Sequence, residues 1–540
     1  MAETIYATQR LDHLGIVAGI CREIDLVGQI DRMIGLTDRQ VSVGEAVQAM
    51  VLNALGFVGR PLYLTPEFFA NKPVGRLLRP GLTAEMLNDD SLGRALDRLY
   101  EAGLTEIFAQ VASHALRLWG IQHRFVHLDT TSLSVEGEYA KPEEAGVVRI
   151  THGYSRDKRP DLKQVVVALL TSYRSALPLW IQALDGNAAD THTFPQVVEA
   201  YIAHLQEGEM PYLVADSALY SEDNLQRLAG VRWLTRVPER IGLTRALIEA
   251  VAAADMHPAA QEGYRSLELC TTYGGVRQRW LVIWSQQAEQ RERVTLQKQV
   301  SQERRQAEQA WKRLMRHEFT SREAAEEAVG RLRGKWAYHQ VEVRYREVAH
   351  YGRKGRPTPD AAPQRVGWRL EGEVVERPEA IAQAERRLGK FILATNELDA
   401  ERLPTEEMLE AYKGQAVGPE RGFRFLKDPL FFADSLFLKS PQRIMALVMV
   451  MGLALLIYAL AEHKLRTALQ AKGESVPNQV GKPTQRPTMR RIFQMFEGID
   501  LLVISTPAGV QQQVLNLKPV HHQILRLLGP TVEKCYLDTC

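Results

Sequence analysis

Cysteine is scarce. Four stand in 540 residues, Cys21, Cys270, Cys535 and Cys540, and no two form a CxxC pair. That excludes a disulfide-stapled scaffold and a cysteine-built zinc site, and it fits reduced thiols in a cytosolic protein. An excess of either charge is also missing. Against 67 Lys and Arg stand 65 Asp and Glu, a formal net charge of +2. A nucleic-acid partner would therefore be met by local basic clusters and not by global charge. The opening Met-Ala-Glu-Thr-Ile-Tyr lacks the basic and apolar regions of an export signal, so a cytoplasmic protein is expected. Internal repeats and low-complexity tracts are absent. What remains is 45% hydrophobic and 24% charged, an ordinary globular balance at a length that suits about three or four domains.

Long apolar runs are missing with one exception, IMALVMVMGLALLIYALA over residues 444–461. As a helix it would be roughly 27 Å long, close to a bilayer's hydrocarbon thickness. A core helix buried on all sides fits it equally well. The run stands alone and follows Ser440-Pro441. The motifs described below favour burial, with no membrane partner.

Residues 1–115 read as a helical N-terminal domain. EAVQAMVLNALG (45–56) and DDSLGRALDRLYEAGL (89–104) carry helical apolar spacing, the second behind Asp-Asp-Ser cap candidates. Over 120–240 the pattern alternates. Strands are expected at 123–135, 163–173, 177–186, 211–221 and 231–239, with helices at 191–205 and from Ser221. That is an α/β fold with a mixed sheet. Residues 241–388 interrupt it as an insertion, with a charged helical hairpin at 286–336 and a strand at 339–357 that carries the basic loop Arg353, Lys354 and Arg356. Most of those charges read as a solvated face. The sheet pattern resumes in 389–468 with GKFILATNEL, and a basic tail, 469–540, closes the chain.

Asp129 lies near the end of an apolar strand and Asp216 at the end of another. Singly, such residues are usually turn or cap residues. Two on adjacent strands repel unless a cation or a proton compensates, and Mg²⁺ and Mn²⁺ favour such oxygen ligands. Glu420 follows Pro419, a residue suited to a helix's first turn. Glu420, Arg424 and Lys427 then share one helix face, a stripe that elsewhere would be a surface ion-pair row.

These pieces resemble the bacterial insertion-sequence DDE transposases with an RNase H-like core. They are most similar to the group with a Tyr-Arg-Glu-Lys signature and an insertion before the glutamate. The resemblance rests on FVHLDTTS (125–132), HGYSRDKRPDLKQ (152–164), LDGNAADTHTF (184–194), YLVADSALYS (212–221) and YKGQAVGPERGFRFLKDP (412–429). It implies that Asp129, Asp216 and Glu420 are catalytic and hold two Mg²⁺ or Mn²⁺ ions. It implies that Tyr412 and Lys427 contact DNA, and that the insertion lies over the DNA ends. The signature arginine is missing. Gln415 stands three residues after Tyr412, and the spacing to Glu420 is one longer, so Gln415 takes a polar DNA contact in its place. Arg424, Arg353, Lys354 and Arg356 complete the expected DNA-binding set. His152 is not expected to act as a base, since metal-bound water needs none. The resemblance further implies a homodimer in a synaptic complex on nucleoid DNA, with terminal inverted repeats and target DNA as partners. A nuclease without strand transfer and a non-catalytic DNA-binding relic are the alternatives. The end-binding role is assigned to residues 1–115, helped by the tail from Lys482 to Arg491. A dimerisation module is the other reading of those residues.

Overall fold

The computed structural model describes residues 4–35, 40–58, 61–121, 123–139, 144, 146–205, 210–352, 362–416, 418–428 and 438–537. Its centre is a mixed nine-stranded sheet. In spatial order the first five strands are Pro178–Leu184, Lys163–Ser172, Phe125–Val135, Tyr212–Ala215 and Trp233–Arg236. The first three pair antiparallel and the next two join parallel. The order is 3-2-1-4-5 in chain sequence. The middle strands are β-branched runs with almost every side chain buried, as required of strands covered on both faces. In Phe125–Val135 only Asp129 and Ser134 are less than buried.

The sheet then continues beyond the expected core. Lys390–Thr395 lies next to Trp233–Arg236, followed by Val276–Ser285 and Tyr264–Tyr273. The last two form a hairpin turning at Gly274 and Gly275, both at positive φ (58° and 76°). Two consecutive left-handed residues are what a tight two-residue hairpin turn demands. These strands lie within the stretch read as insertion, so residues 264–285 are sheet. The separate module starts at the helix Gln286–Met315 and includes the helix Arg322–Arg333 and the hairpin His339–His350/Arg365–Glu376. It has its own small core of Trp311, Trp336, Val329, Val341 and Leu370. Ser285 and Ser321 cap its helices. Pairs such as Arg304–Glu308 and Arg322–Glu326 at i,i+4 lie on exposed helix faces, in keeping with a solvated charge pattern. Arg353, Lys354 and Arg356 lie outside the described residues.

The N-terminal region is helical, as read, but it is not a separate unit. Its helices Leu14–Glu23, Val43–Leu55, Asp89–Ala102 and Leu104–Leu118 share one continuous apolar core with the long helix Pro441–Lys472 and the C-terminal helix Pro519–Leu528. One face of the sheet, with Val165, Val167, Leu169 and Ile181, joins the same core. The strand Ile5–Arg10, which helical spacing did not reveal, pairs antiparallel with Asp500–Thr506. The 32-residue helix Pro441–Lys472 is the axis of this assembly. Ser440 caps it, Pro441 opens it and Gly473 ends it in the left-handed conformation (φ 64°). Of its most apolar stretch, 89% is buried inside the protein. Burial on every side removes the need for a polar stripe. At Gly452 a Cβ would lie 2.6 Å from Ile181 and 3.0 Å from Phe108, so only glycine lets helix and sheet approach this closely.

Candidate active site

The parallel register Phe125↔Tyr212, Val126↔Leu213 and His127↔Val214, carried two residues on, puts Asp129 level with Asp216. Asp129 is not near the end of its strand, as expected, but inside Phe125–Val135, which runs on past the shorter Tyr212–Ala215. Each carboxylate is held by its own backbone. The Thr130 N–H donates to Asp129 Oδ1 at 2.7 Å, and the Ala218 N–H to Asp216 Oδ1 at 2.9 Å. The Thr235 hydroxyl fixes the Asp216 carbonyl at 2.6 Å. Burial pushes the Asp129 carboxyl up to about 6 from its ordinary value; the Thr130 N–H and Arg156 oppose this, while Asp216 and Asp190 add to it. Asp216 is raised mainly by burial as well, with Asp190 adding to the effect. Two acids held together in a poorly solvated place favour a proton or a cation between them.

Two residues that sequence reasoning gave no role complete this edge. Asp190, at the first turn of the helix Asp190–Ile202, accepts from the Thr130 hydroxyl and from Arg156 Nη2 at 2.5 Å. Arg156 also donates to the Thr130 carbonyl and hydroxyl, and lies 3.5 Å from Asp129 Oδ1. Arg156 is thus the counter-cation of an acidic trio. Both residues fall in stretches that carried the family resemblance, HGYSRDKRPDLKQ and LDGNAADTHTF. Read alone, Asp190 looks like a helix-start acid and Arg156 like one of several loop cations.

The other expected residues sit on neighbouring elements. The helix Pro419–Leu426 begins as read, at Pro419, with Glu420 exposed in its first turn. Gly418 and Gly422 allow its close seat. A Cβ at Gly418 would lie 2.5 Å from Thr171 Oγ1, and one at Gly422 2.8 Å from Leu169. Tyr412 belongs to the helix Thr405–Lys413, which His127 Nε2 ties to the Asp129 strand through the Ala411 carbonyl at 2.7 Å. The Tyr412 hydroxyl is raised first by burial; Arg236 lowers it, and Asp216 and Glu420 both raise it. The charges of Asp216 and Glu420 are thus both felt at Tyr412. Gln415 lies half-buried in the short turn Gly414–Ala416. Arg424 is exposed on the rim of a cleft bordered by Arg421, Phe425, Tyr458, Arg490 and Arg491. Lys427 closes the helix and pairs with Asp157 at 2.7 and 2.8 Å.

Asp129 and Asp216 are thus brought side by side, whereas no hydrogen bond or ion pair among the described residues joins Glu420 to them. Among the described residues no three acidic or imidazole groups converge tightly enough to hold an ion unaided. The donor set nevertheless suits a hard divalent cation, since the facing oxygens are carboxylates with raised proton affinity and no sulfur or imidazole is present among them.

Comparison with known proteins gives two family matches. The Transposase DDE domain matches residues 121–457, and a Domain of unknown function (DUF4277) matches residues 6–113. No curated protein matches the chain. Among solved structures, a piggyBac transposase synaptic complex with hairpin DNA aligns over 97% of this chain and 88% of that one, at 8% identity and a TM-score of 0.37. A Mos1 transposase paired-end complex with its left transposon end aligns over 37% and 60%, at 11% identity and a TM-score of 0.15. Scores this low say nothing about shared function.

Proposed function

Since the chain belongs to the transposases with a DDE domain, whose match spans residues 121–457, we propose that Asp129, Asp216 and Glu420 are its catalytic acids. Its activity as a DNA transposase is metal-dependent phosphoryl transfer on DNA. The particular reaction we assign is cleavage at terminal inverted repeats followed by joining to target DNA, carried out by a homodimer that holds both ends. The protein works on nucleoid DNA in the cytoplasm and uses no membrane.

The observation that supports this reading best is the parallel register that sets Asp129 level with Asp216, with burial raising both carboxyls. Two Mg²⁺ or Mn²⁺ ions suit the acids. Bound there, they would activate the attacking oxygen and stabilise the leaving one. The chain's own side chains supply the rest. Arg156 balances the acidic edge and keeps the end of the Asp129 strand in place. Lys427 receives a phosphate beside the scissile bond, and Tyr412 and Gln415 meet the backbone around it. Arg424 extends that contact along the cleft rim. Arg353, Lys354 and Arg356 reach DNA from the insertion, and residues 1–115 with the segment Lys482–Arg491 engage the element's ends.

The test uses duplexes from the DNA that flanks the gene, incubated with the protein, Mg²⁺ and a supercoiled target plasmid. The expected products are new 3′-OH ends at an inverted repeat and those same ends joined to the plasmid. Nicks that never appear joined would make the protein a nuclease without strand transfer.

A further inference from the structure

The loop His152–Asp161 reaches both sides of the site through consecutive residues. Arg156 grips the aspartate side through Thr130 and Asp190. Asp157 turns the other way and offers both carboxylate oxygens to Lys427 Nζ, at 2.7 and 2.8 Å. The next residue, Lys158, adopts a left-handed backbone (φ 59°), which costs a non-glycine residue roughly 1 kcal/mol and persists only where neighbours hold it. The loop's base is fixed, with Gln164 Nε2 donating to the Tyr154 carbonyl at 3.3 Å and the Arg156 N–H to Ser132 Oγ at 3.2 Å. Its outer side is open, and the Tyr154 ring is 88% exposed.

We propose that Asp157 is a built-in phosphate mimic. In the DNA-free protein it neutralises Lys427 and straps the loop across the site, and a DNA phosphate displaces it on binding. The proposal rests on the reading of Lys427 as a phosphate contact. A carboxylate and a phosphate present the same chemistry to an ammonium group, a pair of anionic oxygens. The tie is weak enough to exchange, because the Lys427 and Asp157 side chains keep 24% and 39% of their exposure, and pairs of that kind are worth about 1 kcal/mol or less. Once a phosphate holds Lys427, Asp157 faces a like charge and the outer turn around Lys158 is released, while Arg156 keeps the loop's base on Thr130 and Asp190. The strap therefore lowers affinity for stray DNA while leaving Lys427 available to a well-placed strand.

The test is equilibrium binding of the full chain to a fluorescein-labelled duplex of mixed sequence, with Ca²⁺ in place of Mg²⁺, across a salt series. A mixed sequence suffices because phosphate contacts carry no sequence information. Asp157→Asn should tighten binding about three- to fivefold, the equivalent of one exposed ion pair. It should also steepen the salt dependence by a fraction of the roughly 0.9 unit that one full phosphate contact carries. Asp157→Ser should do the same, and unchanged melting temperatures would show that both variants fold. In a Lys427→Gln background most of the gain should vanish. Weaker binding by Asp157→Asn, or a gain that survives whole without Lys427, would overturn the proposal. If Lys427→Gln alone changes neither affinity nor salt slope, the phosphate reading of Lys427 itself fails, which is a separate result.

Discussion

Asp129 illustrates how a proposed catalytic acid works against the stability of its own fold. Its carboxyl is raised to about 6, chiefly by burial, with Asp216 and Asp190 adding to the effect and Arg156 opposing it. The folded value exceeds the ordinary 3.8, so the metal-free folded state holds more protons than the unfolded chain between those two pH values. Stability therefore falls as pH rises from about 4 to about 6, and the full cost is present above that. With the side chain only 17% exposed, the cost is on the order of 2 kcal/mol at neutral pH. Asp129→Asn should accordingly melt roughly 2 °C higher than the parent at pH 7.5 in EDTA. The difference should close as pH falls towards 4, and Mn²⁺ should raise the melting temperature of the parent but not of the variant. A variant that melts lower than the parent at pH 7.5 in EDTA would contradict this. The two aspartates were legible in the sequence because each follows an apolar strand segment, although Asp129 proves to lie within its strand and only Asp216 just past the end of one. Arg156 and Asp190 were not, because their meaning comes from a shared partner, Thr130, that loop geometry alone brings to them.

Among the elements, the run 444–461 was legible as a helix, and the structure buries it. Leu453 is 0% exposed and Leu455 5%, although the two point to nearly opposite faces. Replacing either with a carboxylate leaves a charge that no partner in the core can meet. Leu453→Asp should cost about 3–5 kcal/mol and leave the protein insoluble, whereas Leu453→Met should stay soluble. Recovery of wild-type chain in a membrane pellet that resists carbonate would contradict burial. The strands 163–172 and 178–184 could be read for the same reason as this helix, as unbroken apolar runs, and the helices of the insertion from the helix-prone charged residues along them. The hairpin Tyr264–Ser285 was assigned to the insertion because nothing local tells an added sheet strand from an inserted one. Its membership depends on pairing with Lys390–Thr395, more than a hundred residues later.

At the scale of the whole molecule, one core joins the N-terminal region, the sheet and the C-terminal region, which the sequence separated. Helices from the first hundred residues, the long helix Pro441–Lys472 and the C-terminal helices bury their apolar faces against each other and against one side of the sheet. The first strand pairs with one near the C-terminus, Ile5 opposite Ser505. Pairings across the full length of the chain leave no periodic trace, and for that reason the N-terminal region looked self-contained. The physical consequence is that the Glu420 helix is braced from behind. Arg421, the residue after the glutamate, pairs with the buried Glu462 of the long helix at 2.5 Å, and Gly422 lies against both Leu169 and Leu455. The long helix thus holds the helix of the proposed glutamate against the sheet. The claim on which this whole reading rests is that Asp129, Asp216 and Glu420 serve one reaction as metal ligands, and strand cleavage by cysteine variants tests it most directly. Mg²⁺ is a hard ion that takes oxygen, whereas Mn²⁺ tolerates sulfur better. Cleavage of a labelled duplex by Asp129→Cys, Asp216→Cys and Glu420→Cys should be lost in Mg²⁺ and return in part with Mn²⁺; a variant that still cleaves at the parent rate in Mg²⁺ would contradict the assignment.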